Sequence, residues 1–201
     1  MSIQPVETEY NGYRFRSRLE ARWAVFFDTL GIRYQYEPEG FVIDAYEDEK
    51  PRKYLPDFYI PTTKTWVEVK GEEQRLDYQL LFDLVEYGGH LPDVADGYRS
   101  LRGLLVLGPI PSTKPERGGQ EQLPIHPLVQ HHKGVLHSKI YFVQGGMVLQ
   151  SDGYPCGGAR DLAVYELIGD QEYCEVPMSS AVRDAYSKAR KARFEHGETP
   201  S

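Results

Sequence analysis

Two short segments constrain this chain most: Leu55-Pro56-Asp57-Phe58-Tyr59-Ile60 and Thr65-Trp66-Val67-Glu68-Val69-Lys70-Gly71, joined by Pro61-Thr62-Thr63-Lys64. Both carry β-branched and aromatic residues, and the joining residues are turn-formers, so the pattern predicts two antiparallel strands. Alternate residues of a strand share a face. Glu68 and Lys70 then point one way, and Val67 and Val69 the other. In the tightest register Tyr59 opposes Trp66 and Asp57 opposes Glu68. Two carboxylates side by side destabilise a strand pair unless something positive lies between them. Magnesium suits that position, because it takes carboxylate oxygens while keeping waters for a phosphate. Lys70, one pleat beyond Glu68, can hold a water beside the metal and stabilise charge growing on phosphate. The set reads as metal-assisted phosphodiester hydrolysis. The same short pattern also suits an exposed hairpin with one mixed-charge face.

Upstream, Ser17-Arg18-Leu19-Glu20 fits a capping box. Leu19, Trp23, Phe26, Phe27 and Leu30 follow at helical spacing, and Gly31 closes the run. Residues 1–16 read as a polar lead-in. Residues 32–43 read as extended, 44–53 as a charged loop, 54–60 as a second strand and 65–70 as a third. A helix is predicted over 72–87 and a buried strand over 103–108. The order is helix, three strands, helix, strand, an α/β layout. Residues 109–127, with five prolines, read as a long irregular loop. A hairpin is predicted over 135–150, turning at Gly145-Gly146. Residues 151–161 read as turns, 162–168 as strand or helix, and 177–194 as a final helix.

Arg16-Ser17-Arg18-Leu19-Glu20, Pro56-Asp57-Phe58 and Glu68-Val69-Lys70-Gly71 resemble, in order, the motifs of the PD-(D/E)XK nuclease superfamily, nearest to the junction-resolving endonucleases I of phages. The resemblance covers about residues 13–108. It implies a restriction-endonuclease-like core over 1–108, with a C-terminal loop, hairpin and helix extension over 109–201 packing on it. It implies Asp57 and Glu68 as magnesium ligands (manganese substituting), the Val69 carbonyl as a backbone ligand, and Lys70 positioning the attacking water. Glu20 would reach the metal from its helix, directly or through water, although the capping box alone also accounts for it. DNA is the implied substrate, with 5′-phosphate and 3′-hydroxyl products. Cutting two strands with one site per chain makes a homodimer attractive. The rival expectation is a catalytically silent module of the same fold that binds DNA or a protein.

Arg14, Arg16, Arg18 and Arg22 cluster at the first helix and suit either DNA phosphates or a solvated flank. Arg183, Lys188, Arg190, Lys191 and Arg193 form a second basic stretch. From the extension, Lys114, Arg117, Arg190, Lys191 and Arg193 are the expected phosphate contacts. A net charge of −7 and a pI near 5.4 argue against a passive nucleic-acid coat, but not against an enzyme whose acidic groups hold cations. Two cysteines, Cys156 and Cys174, exclude a disulfide framework. His126, His131, His132 and His137 lack metal-ligand spacing, so zinc is not expected. Gln74 is a weaker candidate on the second helix. No apolar run approaches the roughly 20 residues that span a bilayer, and no signal peptide is visible. A cytoplasmic protein without membrane or organic-cofactor partners is expected.

Overall fold

The computed structural model describes residues 5–44, 50–72, 75–87, 103–112, 122–132, 135–150 and 173–194. Among these the architecture is mixed α/β. The elements are β1 (Thr8–Tyr10), β2 (Tyr13–Phe15), α1 (Arg18–Leu30), β3 (Gln35–Tyr36), β4 (Phe41–Ile43), β5 (Arg52–Tyr54), β6 (Phe58–Ile60), β7 (Thr65–Val69), α2 (Tyr78–Tyr87), β8 (Gly103–Leu107), β9 (Gln122–Pro124), β10 (His126–His132), β11 (Val135–Val143), β12 (Gly146–Gln150), β13 (Tyr173–Pro177) and α3 (Ser180–Lys191).

One seven-stranded mixed sheet runs β12-β11-β10-β8-β7-β6-β3. Its centre is the parallel pair β7–β8, with Val67 opposite Leu105 and Glu68 opposite Val106. Parallel strands need a crossover, and α2 lies within it. All ten residues of β7 and β8 are buried, as strands covered on both faces must be. The remaining neighbours are antiparallel. β10 to β12, from the segment expected as an extension, continue this sheet.

Two cores result. On one face α1 and α3 pack over Phe58, Ile60, Val67, Val69, Leu105, Leu107, Leu128, Ile140 and Phe142. On the other, Trp66, Leu104, Val106 and Val129 meet Leu81 and Leu84 of α2 with Phe41 and Ile43 of β4. The alternation of Val67 and Val69 against Trp66 is the expected period of two.

Helix α1 forms as its sequence predicts. The Ser17 hydroxyl accepts the Glu20 N–H, and Gly31 takes the left-handed conformation at φ 70°. Gly31 N–H donates to Asp28 O at 3.1 Å and Ile32 N–H to Phe27 O at 2.9 Å. That is a Schellman ending, with Ile32 and Phe27 buried in one cluster. Trp23 donates its indole N–H to Gly108 O at 2.8 Å. Helix α3 starts at Ser179, whose hydroxyl accepts the Val182 N–H.

Several boundaries differ from expectation. The lead-in contains the β1–β2 hairpin, turning at Asn11 (φ 47°) and Gly12 (φ 80°). Asn-Gly favours this turn because both positions require positive φ. The charged loop ends early, because Arg52–Tyr54 pairs with β4. The strand expected over 54–60 breaks between Tyr54 and Phe58. Pro56 has no N–H to donate there, and the chain passes from the β4–β5 hairpin to the main sheet. Helix α2 starts at Tyr78, because the Asp77 carboxylate accepts the Leu80 N–H at 2.9 Å and caps it. The irregular loop expected to reach residue 127 gives way to β9 and β10. The β11–β12 turn lies where expected, with Gly145 at φ 77°. The expectations for 151–161 and 162–168 fall outside the described residues.

Candidate active site

The turn after β6 sets the predicted register: Tyr59 pairs with Trp66 and Phe58 with Val67. Asp57 sits one step before the ladder, on the level of Glu68. Instead of extending the ladder it accepts the Val69 N–H on Oδ2 at 2.7 Å. Lys70 N–H donates to Leu107 O at 2.9 Å, which fixes the chain beyond β7. Asp57 and Glu68 are each 3% exposed.

Burial of two carboxylates this close is costly unless each is partnered. Glu68 receives the Tyr54 hydroxyl on Oε2 and the Lys70 ammonium on Oε1. Asp57 receives Arg16 Nη2 on Oδ1 at 3.0 Å. Asp57 is nevertheless held well above the usual carboxylate range. Burial is the first cause, then the charges of Glu68 and Glu20, only partly offset by the Val69 N–H and Lys70. Burial and the Glu68 charge likewise raise the Tyr54 phenol well above its ordinary value.

Glu20 lies at the neighbouring helix start. Its Oε1 accepts the Ser17 hydroxyl at 2.7 Å. Its Oε2 accepts the Tyr36 hydroxyl at 2.7 Å and the Arg16 N–H at 3.0 Å. The capping arrangement therefore engages both oxygens, while the Glu20 charge still reaches Asp57. Burial, then the hydrogen bond to Glu20, raise the Tyr36 phenol.

Burial disfavours the Arg16 cation, but the Asp57 charge, the Tyr36 hydroxyl and the Glu37 charge outweigh it and hold the guanidinium more firmly protonated than usual. Arg16 and Lys70 are the half-exposed rim of an otherwise buried cluster.

The other basic candidates are placed differently. Arg14 pairs with Glu7 on the surface. Arg18 lies on the first turn of α1, half-buried. Arg22 donates to Ala192 O at 3.3 Å and so ties α1 to the end of α3. Arg190 donates to Pro111 O. Lys191 and Arg193 are exposed. Lys114, Arg117, Gln74 and Cys156 lie outside the described residues. His126 is a core residue, sharing a 2.9 Å hydrogen bond with Tyr186. Burial lowers its pKa to about 3.

Among the described residues no group of three or more His, Cys, Asp or Glu forms a metal-binding cluster. Magnesium does not demand one, since it commonly takes one or two carboxylates and completes its shell with waters. Asp57 and Glu68 offer buried oxygen donors side by side, and this fits a hard divalent cation. Sequence reasoning missed Tyr36, Glu37 and Tyr54: Tyr36 on β3 reaches Glu20, Glu37 in the bend after it reaches Arg16, and Tyr54 on β5 reaches Glu68. Their side chains carry no local motif; the pairing of β3 with β6 brings in Tyr36 and Glu37, and the pairing of β5 with β4 places Tyr54. No helix is long and apolar enough to cross a membrane among the described residues. No family model, curated protein or solved structure matches the chain.

Proposed function

We propose that the chain is a metal-dependent DNA endonuclease with a restriction-endonuclease-like core of the PD-(D/E)XK kind. The observation that carries this reading is the meeting of Asp57, Glu68, Lys70 and Glu20 at one end of the β6–β7 pair, with Asp57 raised by burial and then by its neighbours' charge. Asp57 and Glu68 would hold magnesium, with the Val69 carbonyl and Glu20 completing the set named by the motif. When bound, the cation supplies Lewis-acid polarisation of phosphate and a more acidic water. Lys70, beside Glu68 and half-exposed, is placed to donate to a water or to a phosphate oxygen. The Tyr54 hydroxyl fixes one Glu68 oxygen, and the Val69 N–H fixes one Asp57 oxygen. Preorganised groups of this kind lower a barrier because they need not reorient as charge develops. Arg16, Lys191 and Arg193 are exposed enough to meet DNA phosphates. One site per chain favours a homodimer for cutting both strands.

The test is nicking of supercoiled, single-stranded and branched DNA with magnesium, manganese or chelator, using wild type and Asp57→Asn. Cleavage that requires metal and is lost in the variant supports the reading. Metal-independent cleavage, or a variant as active as wild type, refutes it.

A second reading has its own observation. Every described Asp57 and Glu68 oxygen already has a protein partner. A catalytically silent module that binds DNA or a protein would look the same. Absence of nicking on all substrates with both metals, together with DNA retention in a binding assay, favours it.

A further inference from the structure

Glu37 belongs to no motif, yet its backbone is held in a conformation glutamate seldom adopts. Its φ is 44°, in the left-handed region that favours glycine. Its N–H donates to the Asp57 carbonyl at 2.9 Å, so it is tied to the residue it serves. Its side chain is 22% exposed and Oε1 is sealed from solvent without an aligned hydrogen bond. The charge beside that oxygen is Arg16 Nη2, the same nitrogen that reaches Asp57 Oδ1. The preceding residue, Tyr36, accepts the Arg16 backbone N–H at 2.9 Å. Two consecutive residues thus hold Arg16 by its backbone and by its guanidinium.

One guanidinium nitrogen between two carboxylates is a cation with two resting places. A divalent ion entering the site competes with it for Asp57 but not for Glu37. We propose that Glu37 is a positioning residue: it shares Arg16 with Asp57 and takes the guanidinium over when a divalent cation claims the Asp57 carboxylate. The inference rests on the metal-dependent reading of the site. Arg16 is then the internal counter-ion of the metal-free state, and Glu37 lowers the cost of displacing it. The side-chain exposure of Arg16, 54%, leaves it room to move.

The experiment is manganese binding by the full chain at pH 8, read from the spin-resonance signal of free manganese, in a double-mutant cycle. Arg16→Met removes the competitor and binds manganese about tenfold more tightly than wild type, a like charge having been taken from the site. Glu37→Gln strands Arg16 on Asp57 and weakens binding by about threefold, whereas in the Arg16→Met background the same substitution changes affinity by less than about twofold. Equal weakening in both backgrounds means that Glu37 acts as a plain charge and overturns the proposal. Unchanged or weaker binding by folded Arg16→Met overturns it too. If circular dichroism shows Arg16→Met unfolded, Glu37→Gln decides alone, and unchanged affinity refutes the proposal. If neither wild type nor Arg16→Met binds manganese, the metal reading itself falls, and this inference with it.

Discussion

The two faces of the sheet bury polar groups in opposite ways. Between α1, α3 and the sheet, His126 and Tyr186 sit among Trp23, Phe26 and Phe142 as a neutral pair, and burial keeps the imidazole uncharged. Toward β5, α2 and the end of β7, the buried groups are carboxylates, each beside a cation: Asp57 with Arg16, Glu68 with Lys70, and Asp83 with Arg52. A neutral pair needs one good hydrogen bond. A buried ion needs a counter-charge held in place and gives little net stability in return. Apart from Glu20 at the start of α1, one face therefore avoids buried charge, and the other concentrates it where hydrolysis is proposed.

The largest expected effect tests that division directly. Asp57→Asn should lower DNA hydrolysis by about a thousandfold or more, yet raise the melting temperature of the metal-free protein, because a desolvated charge is removed. A variant that melts below wild type would mean that Arg16 and the Val69 N–H more than compensate for burial, and the contrast between the faces would fail. Next is the opposite face. Phe26 is fully buried against Phe142 and Tyr186, so Phe26→Ala should cost about 3–5 kcal/mol in urea unfolding. A loss under about 1 kcal/mol would show that this face collapses around the gap.

A smaller effect is expected at Asp83, which is 1% exposed. Arg52→Met removes the guanidinium beside it and should cost about 2 kcal/mol, and Asp83→Asn added to it should recover part of that loss. Additive losses would make the pair a packing contact only. The last effect is spread over pH and is small at any one step. His126 has a folded pKa of about 3, below the unfolded value of 6.5. Its stabilising contribution is present above pH 6.5 and is lost as pH falls toward 3, at no more than about 1.4 kcal/mol per pH unit. Asp57 has the opposite sign. Its folded value lies above the unfolded 3.8, so its contribution is present below that pH and is lost as pH rises through the folded value. Urea midpoints against pH should lose their rise between about pH 3 and 6.5 in His126→Gln, and their fall above pH 3.8 in Asp57→Asn. Parallel curves for wild type and both variants would remove the distinction.

What could be read from the chain follows the range of each interaction. Ser17, Glu20 and Gly31 act within a few residues, and α1 begins and ends where they say. The Tyr59–Trp66 register follows from a four-residue turn and a period of two, which places Asp57 level with Glu68. Tyr54 reaches Glu68 only because Pro56 hands the chain from one hairpin to another, and no local pattern announces that. Glu37 is invisible for the same reason. β10 starts inside the proline-rich stretch, and its pairing with β8 is long-range. The β1–β2 hairpin is a different case: Asn11-Gly12 carries a local turn signal, and the short polar strands beside it obscured it.

The distribution of indoles has a use of its own. The chain has two tryptophans. Trp23 is fully buried on the inner face of α1, with its ring centroid 5.5 Å from that of His126, and Trp66 is 5% exposed on the other side of the sheet, tilted against Tyr59 and edge-on to Phe41. Each core thus carries its own fluorophore. Replacing either tryptophan by phenylalanine leaves a single emitter reporting one face. Emission from the two variants will coincide through a denaturant titration if the sheet and both its layers melt as one cooperative unit, and will separate if the charged side loosens first.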